Sequence, residues 1–440
     1  MSPALQGGIV LVITLLMLVS GIPVAFGLGA IAIAFLVIFQ GFDILHVVAE
    51  TYWSGLDEFT LVAIPMFVMM GAAIGSSPAG KDLYEALDRW LYRLPGGLVV
   101  SNLGACAIFA ALTGSSPACC AAIGKMGIPE MRKRGYPDEV ATGSICAGGT
   151  LGILIPPSVT FILYGIATET SIGRLFIAGI VPGLMLTGFF MIWTVFAIWR
   201  SGFRSHAEGF RYTWKEKFTS LPKIAPFLII IAGVMYALYG GIATPSEAAG
   251  VGAALCLILA IGIYRLWSPA QIWHILRDTM RESVMILTII AAAVLFGYML
   301  TSLYLTQTLA QGIADMHVNK WVLMFLINIF LLVCGFFIPP AAIILMTSPI
   351  LLPIITAAGF DPIWFGVILT INMEIGLIHP PVGLNIYIVN AIAPDVPLAK
   401  VMWGTLPYVL CMMLAIVVLC FFPEIATWLP DHLMGPVKAG

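Results

Sequence analysis

Five stretches of this chain run 25 to 40 residues without a single Asp, Glu, Lys or Arg: 94–124, 140–168, 175–199, 283–314 and 321–360. A helix of about 20 apolar residues crosses the roughly 30 Å hydrocarbon core of a bilayer, so each stretch is long enough to span it. A soluble domain would have to cover its surface with charge, and about 25% of residues in ordinary globular proteins are charged. Here only 10% are, against 60% hydrophobic. Barrel strands would instead appear as short alternating segments. The chain therefore reads as an all-α polytopic membrane protein, with the lipid bilayer as its first partner.

The composition excludes several other classes. The eight cysteines lie mostly inside apolar runs without the spacing of a zinc site or a secreted disulfide framework, and read as small packing residues. The six histidines are scattered, so no metal cluster is expected. No basic patch has the density that nucleic acid requires. Lys and Arg are absent before Lys81, so the amino terminus lacks the charged region of a cleavable signal peptide, and the first apolar run is expected to stay.

Two parts of the sequence repeat each other at a fixed offset. Adding 224 takes Pro129 to Pro353, Gly135 to Gly359, Gly152 to Gly376, Pro156 to Pro380 and Pro157 to Pro381. These five pairs are among seven identities in the 41 positions of 127–167 against 351–391. They are the residues that dictate backbone breaks, kept in one ungapped register. The expected division is a first repeat over 1–205, with a re-entrant hairpin at 97–130 and a broken helix at 138–168, followed by a cytoplasmic linker over 206–223. A second repeat over 224–425 has its hairpin at 321–355 and broken helix at 362–392, and a periplasmic tail occupies 426–440.

Charge sets the orientation. The loop 41–59 holds Asp43, Glu50, Asp57 and Glu58 with no Lys or Arg, whereas its counterpart 264–282 holds Arg265, Arg277 and Arg281. By the positive-inside rule the first faces outward and the second the cytoplasm, so the repeats are inverted. Five crossings and one hairpin per repeat then place 17 of the 20 Lys and Arg inside, leaving Arg174, Lys320 and Lys438 outside with both termini. The segments around Trp53 and Trp273 mix apolar and polar residues at helical spacing. They read as interfacial helices bracing a moving core, or as surface linkers.

Three interruptions fall at membrane depth. Thr113-Gly114-Ser115-Ser116-Pro117 breaks the first charge-free stretch as a hairpin tip or a kink. Gly148-Gly149-Thr150-Leu151-Gly152 with Pro156-Pro157-Ser158, and Asn372 to Pro381, mark two broken helices. Non-helical backbone survives there only where it is buried in protein or lines a polar cavity. Matching interrupted segments in two inverted halves are the pointer to a transporter's binding site, so tips and breaks are expected to converge at the midplane. Glu374 sits deep, as an ion, proton or substrate ligand or as a protonated structural group. His379 caps the broken helix or titrates, and Lys125 snorkels to the cytoplasmic interface.

At these motifs the chain resembles a family. GIPEMRKRGYP, GGTLGILIPPS and ILYGIATETSIGRLFIAGIVPG within 113–183, YALYGGIATPSEAAGVGA at 236–253, TSPILLPI at 347–354 and IGLIHPPVGLN at 375–385 look like the large membrane subunit of tripartite ATP-independent periplasmic (TRAP) transporters. The resemblance covers essentially the whole chain. It implies an elevator-type, sodium-coupled uptake system with a small four-helix membrane subunit, a periplasmic substrate-binding protein and a small organic acid as substrate. Two positions depart from the family: Pro339 stands where an acidic residue is usual before the second hairpin's proline, and Lys125 where a small residue is usual.

A hairpin tip opposite a helix break supplies carbonyls and hydroxyls to a hard cation without formal charge. One sodium site is therefore assigned to Ser115, Ser116, Gly149, Thr150 and Gly152, and a second to Ile338, Pro339, Asn372, Glu374 and Gly376. The substrate is placed between the tips, near Thr113, Ser116, Ser158, Pro340 and Asn385, where helix amino termini can face a carboxylate. The nearest rival is a stand-alone ion-coupled exchanger of the same architecture. The remote alternative, an intramembrane enzyme, would need a nucleophile with a base, or a metal motif such as HExxH, whereas the chain offers hydroxyls at the breaks with no nearby His or Asp. Topology is directly testable: reporter fusions after residues 210 and 272 should report cytoplasm, and those after 50, 315 and 435 periplasm. A cytoplasmic signal at both 50 and 272 would sink the inverted arrangement.

Overall fold

The computed structural model describes residues 3–91, 96–200, 212–315, 318–380 and 383–435. Among the described residues every regular element is helical. The first half consists of α1 (Pro3–Val19), α2 (Val24–Gln40), α3 (Leu45–Leu56), α4 (Ala63–Gly75), α5 (Ala79–Leu91), α6 (Gly97–Thr113), α7 (Ser116–Lys133), α8 (Asp138–Thr150), α9 (Val159–Ala167) and α10 (Ile172–Arg200). The second consists of α11 (Trp214–Tyr239), α12 (Pro245–Gly262), α13 (Pro269–Ser302), α14 (Leu305–Asp315), α15 (Lys320–Gly335), α16 (Pro340–Ala357), α17 (Pro362–Ile378), α18 (Leu384–Ile392), α19 (Leu398–Phe421) and α20 (Glu424–Met434). The order from α1 to α10 recurs from α11 to α19 with one difference. Where the first half has α3 and α4, bent 58° apart, the second has the single 34-residue α13.

The local sequence explains that difference. Gly55 and the Asp57 cap end α3, and the positions 224 further on are Thr279 and Arg281, which do not stop a helix. Trp273, expected on a separate interfacial helix, therefore lies near the start of a helix that continues into the apolar stretch. Capping boxes begin two helices: Thr213 with Glu216 starts α11, and Thr244 with Glu247 starts α12. The first of these turns the end of the segment 206–223 helical, while 206–211 lies outside the described residues. The segment 426–440 begins inside α20, which packs on α10 and is pinned by Arg174 to Asp431 at 3.1 Å; residues 436–440 lie outside the described residues.

Five helices among the described residues, α10, α12, α13, α16 and α19, are long and apolar enough to cross a membrane; two bent pairs would raise this to seven. Large side chains such as Phe26, Ile38, Ile192 and Trp403 are exposed, the pattern of a surface that faces lipid. Inside, the two halves interlock. Helix α16 packs along α9, and the Tyr164 hydroxyl on α9 donates to the Pro362 carbonyl at the start of α17, 2.7 Å away.

Helix α5 is fastened on both sides. Asp88 on α5 is buried and accepts both guanidinium nitrogens of Arg134, at 3.3 and 3.0 Å, at the end of the α7 limb; Arg134 also donates to Glu130 at 3.1 Å. Tyr212 adds a hydroxyl to Asp88 at 3.0 Å. On the other side Trp90 donates to the Lys217 carbonyl of α11 at 3.3 Å. Removing one member of a buried ion pair leaves the other uncompensated and costs about 3 kcal/mol. Asp88→Ala should therefore lower the thermal unfolding midpoint of the purified protein clearly. Lys81→Ala, which loses an exposed contact to Glu85 at 3.9 Å, should change stability by less than about 1 kcal/mol in the same measurement.

Candidate functional site

The first hairpin turns because its sequence stops one helix and starts another within three residues. Helix α6 ends at Gly114, held at φ +57, Ser115 is extended, and α7 restarts at Ser116-Pro117. Helix α8 ends at Thr150, a tight turn covers 151–153, and α9 restarts at Val159 after Ser158, whose hydroxyl caps it by accepting the Phe161 amide. The two interruptions are pressed together. A Cβ on Gly152 would lie 2.8 Å from the Ser115 carbonyl, and one on Gly114 would lie 2.9 Å from the Pro157 carbonyl. Only backbones without side chains fit so closely.

Ser116, Gly149 and Asn385 meet in the same place. The Asn385 amide donates to Ser116 Oγ at 2.9 Å, and a Cβ on Gly149 would come within 3.3 Å of its nitrogen. Other predicted hydroxyls give their hydrogens to local backbone: Thr150 to Ala147 at 2.7 Å, Thr113 to Phe109 at 3.1 Å, and Ser158 to Ile153. Their oxygen lone pairs remain. The carboxyl ends of α6 and α8, with their negative dipole ends and unpaired carbonyls, thus come together through Ser115 and Gly152, which favours a cation. The amino ends of α7 and α9 both start beside the tip, where Gly114 abuts Pro157 and Val159, and helix amino ends favour an anion.

The second hairpin repeats the contact. A Cβ on Gly376 would fall 2.5 Å from the Gly335 carbonyl, so the carboxyl end of α15 lies directly on α17 just before its break. Pro339 precedes α16 and Pro340 is its first residue; with Gly335, Ile338 and Gly376 they line a cavity of about 130 Å³. Asn372 is buried and donates to Asn328 Oδ1 at 2.6 Å and to the Ile368 carbonyl at 3.0 Å. Glu374 is fully buried, and neither carboxyl oxygen has a hydrogen-bond partner among the described residues. His379 ends α17, its ring stacked on Phe336 at 4.4 Å between centroids with Nδ1 against the Pro380 carbonyl. Pro381 lies outside the described residues.

A larger cavity of about 830 Å³ reaches the first hairpin tip. Thr113 and Ser115 stand at one part of its wall, with Lys125 on α7 and His274, Asp278 and Glu282 on α13. Lys125 thus lines a cavity that also touches the tip. At the same end of the molecule Arg132 donates to Asp395 and holds its carboxyl below the usual carboxylate range.

Four contributors had not been singled out from the sequence. Asn328 completes the Asn372 amide, Thr405 donates to the freed Ile378 carbonyl at 3.0 Å, and Gly71 and Gly335 make close approaches, Gly71 to the Thr113 carbonyl. Asn328 carried a signal, as one amide within the apolar run 321–338. Thr405 carried none, because its role depends on which helix crosses the break. Among the described residues no group of three or more His, Cys, Asp and Glu side chains is placed to hold a metal.

Residues 11–425 match the family described as tripartite ATP-independent periplasmic transporter, DctM component. The C4-dicarboxylate TRAP transporter large permease protein of Pseudomonas aeruginosa is 35% identical over 391 residues, 89% of this chain and 91% of that protein. The sialic acid TRAP transporter large permease protein of Vibrio cholerae is 30% identical, over 95% and 97% of the two chains. The ectoine TRAP transporter large permease protein of Halomonas elongata is 30% identical, over 94% and 96%. In fold the chain is similar to the YdaH transporter of Alcanivorax borkumensis, with a TM-score of 0.65 at 17% identity over 91% of each chain. It is also similar to MtrF of Neisseria gonorrhoeae, with a TM-score of 0.51 at 14% identity over 89% and 85%. The helical fold is thus that of membrane transporters, and the sequence relatives are permeases rather than enzymes. The chain belongs to the DctM-component family of TRAP transporters and is a multi-pass large permease subunit.

Proposed function

We propose that this chain is the transport subunit of a sodium-coupled secondary uptake system that carries a small organic acid across the bacterial inner membrane. The acid is delivered by a periplasmic binding protein, and a small four-helix membrane subunit works alongside. The observation that carries the reading is the paired close contact of hairpin and broken helix, Ser115 on Gly152 and Gly335 on Gly376, each bringing two helix carboxyl ends together. Such ends offer neutral oxygens to a hard cation, while the amino ends of α7 and α9 suit a carboxylate.

Sodium would supply the free energy of its gradient. Ser115, Ser116, Gly149, Thr150 and Gly152 would hold one ion, and Ile338, Pro339, Asn372, Glu374 and Gly376 a second. The substrate would lie between the tips. An ionised Glu374 without a partner would cost several kcal/mol at full burial, so the second site needs a positive charge beside it or a proton on it. The relatives named for C4-dicarboxylates, sialic acid and ectoine span several substrates, so the family alone does not choose among small acids.

Two experiments test the reading. Reconstituting this chain with its binding protein and small subunit should give uptake that is lost when any one is omitted; full uptake by this chain alone would favour the stand-alone exchanger. Ser115→Ala and Thr150→Val each remove an oxygen at similar volume. Each should raise the sodium concentration for half-maximal uptake about tenfold, equivalent to roughly 1.4 kcal/mol, with folded protein little changed. If both variants keep the parent's sodium dependence, or the parent follows a proton gradient instead, the ion sites are wrong and Glu374 is the first residue to test as a proton carrier.

A further inference from the structure

We infer that Asn385 is the second repeat's own ligand to the cation site of the first repeat, its Oδ1 directed at the ion and its amide nitrogen fastening the site, rather than a contact for substrate. This rests on the sodium-coupled reading above. Asn385 is the second residue of α18 and is completely buried. Its nitrogen donates twice, to Ser116 Oγ at 2.9 Å and to the Cys146 carbonyl at 3.1 Å. A carbonyl can only accept, so the nitrogen must face Cys146 and the amide cannot be turned round. Oδ1 is then the atom left over, buried and without a hydrogen-bond partner among the described residues.

A buried acceptor with nothing donating to it is costly, and native structures rarely leave one so. Everything else about Asn385 is secured. Its backbone carbonyl receives the thiols of Cys120 at 3.9 Å and Cys146 at 3.6 Å, so the residue is fixed against both α7 and α8. Gly149 gives it room, since a Cβ there would press to 3.3 Å on the amide nitrogen. Ser116 and Gly149 already belong to the proposed first site on other grounds. The amide of Asn385 thus sits against Ser116 on α7 and against Cys146 and Gly149 on α8, and the neutral hard oxygens of Ser116, Cys146 and Asn385 itself are the kind that suit a sodium ion.

The consequence is a link between the halves. An ion held by the first hairpin and the first broken helix would also hold α18, the second half of the other repeat's broken helix. Occupancy of one site would then stiffen the junction between repeats.

The test uses the purified full-length chain in detergent, with thermal unfolding followed by tryptophan fluorescence as sodium chloride replaces choline chloride at constant ionic strength. The parent should be stabilised by sodium in a saturable way. Asn385→Ala should need about tenfold more sodium for the same shift. Asn385→Asp keeps Oδ1, loses the amide hydrogens and adds a charge, so it should retain or strengthen the sodium response even where its sodium-free midpoint falls. If Asn385→Ala does not accumulate as folded protein, the Asp variant decides alone. A parent-like response in Asn385→Ala, or a lost response in Asn385→Asp, overturns the proposal and makes Asn385 a structural tie whose Oδ1 is met by water. A parent with no sodium-specific stabilisation overturns the sodium reading itself, and this proposal with it.

Discussion

Unpaired backbone groups cannot be left against hydrocarbon, and the architecture of this protein follows from how it breaks helices at membrane depth without doing so. Each break is covered by a hairpin whose own tip is also broken, so each interruption buries the other. The covering is close enough to exclude a Cβ: Gly152 receives the Ser115 backbone, and Gly376 receives Gly335. These two glycines are one of the pairs related by the 224-residue offset. The repeat kept them because both halves solve the same steric problem in the same way, and a side chain at either would drive the hairpin off the helix that it covers.

Pressing two helix carboxyl ends together also determines the electrostatics. The dipoles of α6 and α8, and of α15 and α17, add negative potential at two points without any formal charge. That is compatible with the neutral second tip, which presents Ile338, Pro339 and Pro340. It also sharpens the position of Glu374. In a fold that builds its polar points from neutral groups, one carboxyl group is fully buried, with neither oxygen partnered among the described residues, two positions or about half a helical turn from Gly376 on α17.

Much of this was legible in the sequence, because Gly and Pro act locally. The tip at Gly114-Ser115-Ser116-Pro117 and the restart at Ser158 appear where the residues place them. Local residues also separate the continuous α13 from the bent α3 and α4, whereas the similarity of the repeats elsewhere points to matching arms. What could not be read were contacts between distant helices. Asn328 meeting Asn372 across 44 positions, Thr405 meeting Ile378 and Asn385 meeting Ser116 depend on which helices cross and at what height. Periodicity contains neither quantity. The same holds for α5, whose Asp88 is bound by Arg134 from the far end of α7.

These long-range amides break the symmetry that the repeats suggest. In the second repeat the deep amide, Asn372, is answered from within by Asn328 on the first limb of its own hairpin. The offset-related position in the first repeat is Gly148, which has no side chain, and the Cys106 side chain fills the space beside it. The first repeat therefore borrows its amide from α18 of the other half. A polar group borrowed across the interface is satisfied only while the halves hold their present relation, whereas one supplied from within travels with its own site. If the two hairpin sites act at different stages of a transport cycle, the one whose amide comes from the opposite repeat is the one whose occupancy reports how the halves are placed.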